Sequence, residues 1–150
     1  MPDVKVKKPN GTWQSIVGPQ GPQGLPGTKT PAMVSLGGYV VLTNIGASYD
    51  AIAPSKGLGI AWVDFTGCTQ IDFAVNVNKV GSGTQSWQLW NVTDGTELMV
   101  LDDAAAGEKV LTANKTASLP TGVKTVRIRG KSTTAADDPV YYGATIRVTY

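Results

Sequence analysis

The sequence predicts an all-β chain built as an N-terminal β-hairpin, a short collagen-like triple helix and a C-terminal β-sandwich or jelly-roll head, assembled as a homotrimer. Three observations carry this. Glycine stands at every third position from Gly18 to Gly27. Apolar and polar residues alternate strictly through Ile71, Phe73, Val75 and Val77. Further candidate strands recur roughly every ten residues between Gly, Asn, Asp and Pro clusters, the spacing of a sandwich or barrel.

The first 17 residues, MPDVKVKKPNGTWQSIV, read as a hairpin in which Val4 and Val6 alternate with lysines and Thr12, Trp13, Ile16 and Val17 favour extended backbone. Asn10-Gly11 is expected to reverse the chain in a type I′ turn, because both residues tolerate positive φ. So short a hairpin is marginal alone, so its apolar residues need a partner surface.

Residues 18–30 form the second segment. Gly18, Gly21, Gly24 and Gly27 hold strict register, with Pro19, Pro22 and Pro26 between them. In a triple helix every third residue must be Gly, since no side chain fits at the axis. A flexible Gly/Pro linker has similar composition but no need for register. Four triplets extend roughly 37 Å at about 3.1 Å per residue and need trimerising domains beside them.

Residues 31–150 are the head. Thr69–Val80 is the clearest strand, closed by Gly81-Ser82-Gly83; Gln85–Val92 follows, closed by Thr93-Asp94-Gly95. Further strands are expected at Gly38–Ile45, Leu58–Phe65, Glu97–Leu101, Val110–Ala113, Val123–Arg129 and Val140–Tyr150. Ala104–Lys109, interrupted by Gly107, reads as a loop or single helical turn.

Composition narrows the chemistry. The 150 residues contain no histidine and a single cysteine, which removes His-based triads, His-ligated zinc, a histidine pH switch and any intrachain disulfide. No GxSxG, Walker or GxGxxG motif occurs. The chain is therefore expected to be no enzyme and to need no cofactor. Asp102-Asp103 and Asp137-Asp138 are the only acid pairs worth weighing as acid–base or ion-binding groups, but Asp in loops serves turn geometry and no calcium-loop motif is present. Cys68 reads as a small buried residue.

The net charge of +2 is too small for a dedicated nucleic-acid binder. Residues 1–30 hold four lysines against one aspartate, and the remainder nine cations against ten acids. Lys124, Arg127, Arg129 and Lys131 cluster on one expected strand, where alternation sets Arg127, Arg129 and Lys131 over a buried face of Val126 and Ile128. No apolar run is long enough to span a membrane, and MPDVKVKK lacks the apolar stretch of a secretory signal, so synthesis in the cytoplasm is expected.

With Trp87 inside, Trp90 is expected to project outward, and Tyr141-Tyr142 follows a polar loop. Such aromatics stack on sugar rings or anchor interfaces, so Trp90, Tyr141 and Tyr142 are candidate glycan contacts, with burial in a trimer interface the alternative.

A hairpin carrying Asn10-Gly11-Thr12-Trp13, then GPQGPQGLPG, then a β-rich domain resembles the collagen-containing fibre and minor tail proteins of tailed bacteriophages, particularly those of actinobacteria. Collagen triplets also precede heads in spore-surface proteins and in complement-type proteins with a tumour-necrosis-factor-like fold. The phage resemblance implies a homotrimeric virion component assembled in the bacterial cytoplasm. Its hairpin, through Lys5, Lys7, Lys8, Trp13, Ile16 and Val17, would dock on other tail or capsid proteins, and its head would face outward, toward a host-surface glycan. A capsid decoration or head fibre protein and a non-viral trimeric lectin or adhesin are the alternative readings.

Overall fold

The computed structural model describes residues 5–15, 27, 29–41, 48–51, 59–134 and 137–150. Of the expected segment 18–30, Gly27, Lys29 and Thr30 fall among them; Ile16, Val17, Gly18, Pro19, Gly21, Pro22, Gly24 and Pro26 lie outside the described residues.

Strand β1 (Lys5–Lys7) pairs antiparallel with β2 (Trp13–Ser15). The reversal differs from the type I′ expectation. The amide of Gly11 donates to the carbonyl of Lys8 (2.9 Å), which places Pro9 and Asn10 at the centre of the turn, and Gly11 follows with φ +83°. Proline fixes a negative φ at the first central position, so the chain adopts a type I turn and the following glycine absorbs the left-handed step. The Asn10 carboxamide oxygen accepts from both the amide and the hydroxyl of Thr12, at 3.1 and 2.6 Å.

The head is a sandwich of two antiparallel sheets. One runs in the order β3 (Ala32–Val41), β11 (Val140–Thr149), β6 (Gln70–Lys79), β9 (Gly107–Lys115). The other is built on β10 (Val123–Ser132), flanked on one side by β7 (Gln85–Asn91) and then β8 (Thr96–Asp103). On its other edge β10 pairs with β5 (Ile60–Asp64) and, further along, with the two-residue β4 (Asp50–Ala51), so that two short strands share one position.

The alternation read in the sequence is the burial pattern of β6, whose Ile71, Phe73, Val75 and Val77 are all buried. They meet Tyr141, Ile146 and Val148 of their own sheet and Trp87, Leu89, Val126 and Ile128 of the opposite one. Boundaries moved where glycine had weighed against extended structure. Strand β3 begins at Ala32, six residues before the expected start, because the alternating Val34 and Leu36 turn inward ahead of Gly37-Gly38. Strand β9 starts at Gly107, and the tight connection from β8 leaves only residues 104–106 outside strands. Asp102 and Asp103 close β8 instead of lying in a loop, with Asp102 exposed and Asp103 buried.

The strand directions give the sandwich two distinct ends. Lys29 and Tyr150 lie at the end where β3 begins and β11 finishes, tied to Asp64 and Thr66. The connections 80–84 and 104–106 and residues 133–134 and 137–139 lie at the opposite end.

Candidate binding faces of the head

The segment leading out of the Gly-X-Y register is fastened to the head. The Lys29 ammonium donates to the Asp64 carboxylate (2.9 Å) and to the Thr66 carbonyl (3.0 Å), and it sits 4.8 Å from the centre of the Tyr150 ring. The Tyr150 hydroxyl closes the cluster by donating to the Asp64 carbonyl at 2.7 Å. Hydrogen bonds from the Thr66 side chain and amide, helped by Lys29, hold the Asp64 carboxyl down to about 2, from an ordinary value of 3.8. A carboxylate with a lowered pKa stabilises the fold above its unfolded value, and that contribution fades as the pH falls through the folded one. The stability difference between wild type and Asp64→Asn, read from thermal melts, is therefore expected to shrink between about pH 4 and pH 2 and to be constant at higher pH.

The outer face of the β10 sheet is aromatic and cationic. Arg127, Arg129 and Lys131 alternate along β10 over the buried Val126 and Ile128, as the sequence indicated. Trp87 points inward and Trp90 outward. Trp90 is nevertheless half-buried, because the Arg129 guanidinium lies 4.6 Å from its ring centre. Tyr49 covers the other side: Arg129 donates to its carbonyl (3.2 Å), and Lys131 stands 4.3 Å from its ring. Trp62, opposite Thr125 in register, is 80% exposed, with Ile60 beside it opposite Arg127. Sequence reasoning missed Trp62. The signal was the alternation Ile60, Trp62, Asp64 against Ala61 and Val63, half-hidden by a short strand in a Gly-rich stretch. Acids balance this face, with Glu97 accepting from the Gln88 carboxamide (2.7 Å) and Asp102 exposed on β8.

The outer face of the β3–β11–β6–β9 sheet differs in kind. Ser35, Ala74, Thr112 and Thr145 form one cross-strand row of small side chains, and Gly37, Gly143, Asn76 and Val110 form the next. Together they floor two adjoining shallow depressions of about 560 and 280 Å³. Met33, Tyr39 and Val41 rise exposed around them, and Val110, at the β9 end of the second row, is exposed as well. A bulge in β11 between Tyr141 and Gly143 separates the two adjacent tyrosines. Tyr142 lines the second depression with its ring 5.7 Å from that of Tyr39.

Tyr141, expected as a surface contact, is instead fully buried. Its hydroxyl donates to the Leu36 carbonyl and its ring stacks on Trp87 at 6.0 Å; burial pushes its pKa far up. The period-two argument could not place it, because the bulge resets the alternation one residue away. The three expected glycan contacts thus go to three places: Trp90 under Arg129, Tyr142 on the outer face of the other sheet, Tyr141 in the core.

One acid of each pair is tied into the structure. Buried Asp137 accepts from the Gly83 amide (3.0 Å) and the Ser132 hydroxyl (2.8 Å), tying together the connections at the end far from Lys29. Asp103 pairs with Lys109 at 3.0 Å. Among the described residues no three His, Cys, Asp or Glu side chains cluster closely enough to hold a metal ion. The half-buried Cys68 packs against the core; burial, aided by the charge of Asp64, raises its pKa away from a reactive thiolate. On the hairpin, Lys5, Lys7 and Trp13 share one face, since Lys7 stands directly opposite Trp13; Lys8 lies exposed at the turn.

No family model matches the sequence, and no curated protein does. Solved structures do. Eiger, a TNF from S. frugiperda, superposes with a TM-score of 0.50 at 13% identity, over 80% of this chain and 91% of that one. The CBM36-1 domain of a multidomain xylanase from the hindgut metagenome of Trinervitermes trinervoides gives 0.49 at 13% identity, over 78% and 96%. A protein of infectious bursal disease virus, Gx strain, gives 0.49 at 11% identity, over 97% of this chain and 40% of that one. Identities this low speak to fold alone; the likeness to Eiger and the two-sheet topology make the head a jelly-roll β-sandwich.

Proposed function

We propose that this chain is a homotrimeric structural component of a tailed-phage particle, a minor tail or fibre protein that docks by its N-terminal hairpin and displays the jelly-roll head outward. The observation that carries this reading is the polarity of the head. The residue leaving the Gly-X-Y segment is fastened at one end of the sandwich, and the β6–β7, β8–β9 and β10–β11 connections gather at the other. A rod arriving at the Lys29 end holds those connections away from the particle.

The hairpin supplies the dock. Val6 and Trp13 are exposed on opposite faces of a two-stranded ribbon too small to bury them, and lysines surround them. An apolar socket with an acidic rim on a neighbouring phage protein fits that surface. The outer face of the β10 sheet, with Trp62, Trp90 and Arg127, is where a host-surface glycan would be met. Three copies acting together raise avidity by about 10²–10⁴ over a single site when geometry permits simultaneous contact. The role needs no bond chemistry, cofactor or membrane insertion.

Mass spectrometry of purified particles is expected to find this chain, and a density map of the particle to place it at the tail with the hairpin inward. Absence from purified particles overturns the reading. A position at capsid threefold sites replaces it with capsid decoration.

A further inference from the structure

We infer that the outer face of the β3–β11–β6–β9 sheet is covered by a second copy of this chain, so that three heads close around the axis of the rod through this face. The inference rests on the trimeric reading above and says which surface of the head serves it.

Chain length comes first. Gly27 is the last glycine in register, and glycines of a triple helix lie at its axis. Lys29 follows two residues later, within about 7 Å of it along the chain, and is bonded to Asp64 and Thr66. Ala32, where β3 begins, lies at most about 18 Å from Gly27. The Lys29 end of every head is thus drawn close to the common axis, which brings the three sandwiches side by side. Strand β3 forms an edge of the sheet in question.

Surface chemistry selects the face. Protein interfaces are poor in charge at their centre and rich in aromatic residues and Met. The outer face of this sheet presents Met33, Tyr39, Tyr142, Val41 and Val110 around a floor of small residues; its charges are Arg147 and Asp72, of opposite sign and facing each other across the two central strands beside the larger depression, and Glu108 on the edge strand. The opposite face of the sandwich instead carries Arg127, Arg129, Lys131, Glu97 and Asp102. Area agrees as well. Four strands about 4.8 Å apart and about 34 Å long cover roughly 650 Å², close to the ~800 Å² per partner of a stable interface. Exposed patches beyond a few hundred Å² mark interaction surfaces. The depressions along the Ser35–Thr145–Ala74–Thr112 row give a neighbour's side chains a place to enter.

The test uses the full chain. In the wild-type trimer, covalent labelling read by mass spectrometry is expected to modify Tyr39 and Tyr142 several-fold more slowly than Trp62. Thr145→Arg puts a charge at the centre of the face without touching the core. It is expected to weaken assembly in sedimentation by roughly two to three orders of magnitude, the effect of burying an uncompensated charge. Thr125→Arg, on the opposite sheet, is expected to leave assembly unchanged. A monomeric wild-type protein overturns the trimeric reading itself. A wild-type trimer in which Tyr39 and Tyr142 label as fast as Trp62 overturns only the choice of face.

Discussion

Replacing Trp87 by alanine is expected to cost about 3–5 kcal/mol, the range for deleting a large aromatic side chain from a packed core. Trp87 is 1% exposed and sits where the two sheets meet, stacked on the equally buried Tyr141. Its neighbours are core side chains fixed on strands of both sheets, so the cavity would close only in part. The loss should appear in urea denaturation as a lower midpoint with an unchanged slope. Trp87→Phe is expected to lose much less. It keeps a ring against Tyr141 and removes an indole N–H that has no acceptor among the described residues, a burial that itself costs about 1–3 kcal/mol. If the alanine variant shifted by less than about 1 kcal/mol, this would place Trp87 outside the stabilising core, since even Ile→Val in a core costs that much.

Gly81→Ala is expected to be nearly as damaging although it adds a single methyl group at the surface. Gly81 has φ +92°, and a Cβ there would stand 1.8 Å from Asp137 Oδ1. Left-handed backbone costs a non-glycine residue about 1–2 kcal/mol. Moving the carboxylate aside also breaks its bonds to the Gly83 amide and the Ser132 hydroxyl, each worth about 1.5–3 kcal/mol for a charged acceptor. The total is about 3–5 kcal/mol once partial relaxation is allowed for. A double-mutant cycle checks the cause: Gly81→Ala added to Asp137→Ala should then cost only the backbone strain, about 1–2 kcal/mol. Additive losses would mean that the two residues act separately.

Much of this fold can be read along single strands, and what escapes is whatever depends on a neighbour. The alternation in β6 and β10 named the buried residues correctly, because period two is a property of one strand. Tyr141 was misplaced because a bulge one residue on decides which tyrosine turns inward, and a bulge is a mismatch between strands. The turn after Lys8 went to Pro9-Asn10 because proline's fixed φ outweighs the adaptability of Asn-Gly. For the candidate faces, the alternating cations of β10 were legible. The stacking of Arg129 between Trp90 and Tyr49 was not, since it joins residues 80 positions apart in sequence. Nor was the small-residue floor: Ser35, Ala74, Thr112 and Thr145 are unremarkable alone and form a surface only when four strands line up.

The fastening of Lys29 bears on mechanics as well as on assembly. A head hung on a free polyproline tether would swivel, and a load applied far from the particle would be lost in reorientation. Here two hydrogen bonds and an aromatic contact clamp the last link of the connector to the body of the head. In the trimeric fibre proposed above, torque on the far loops would pass through this clamp into the rod, so that the molecule would act as a stiff lever arm with a narrow angular spread of its tips.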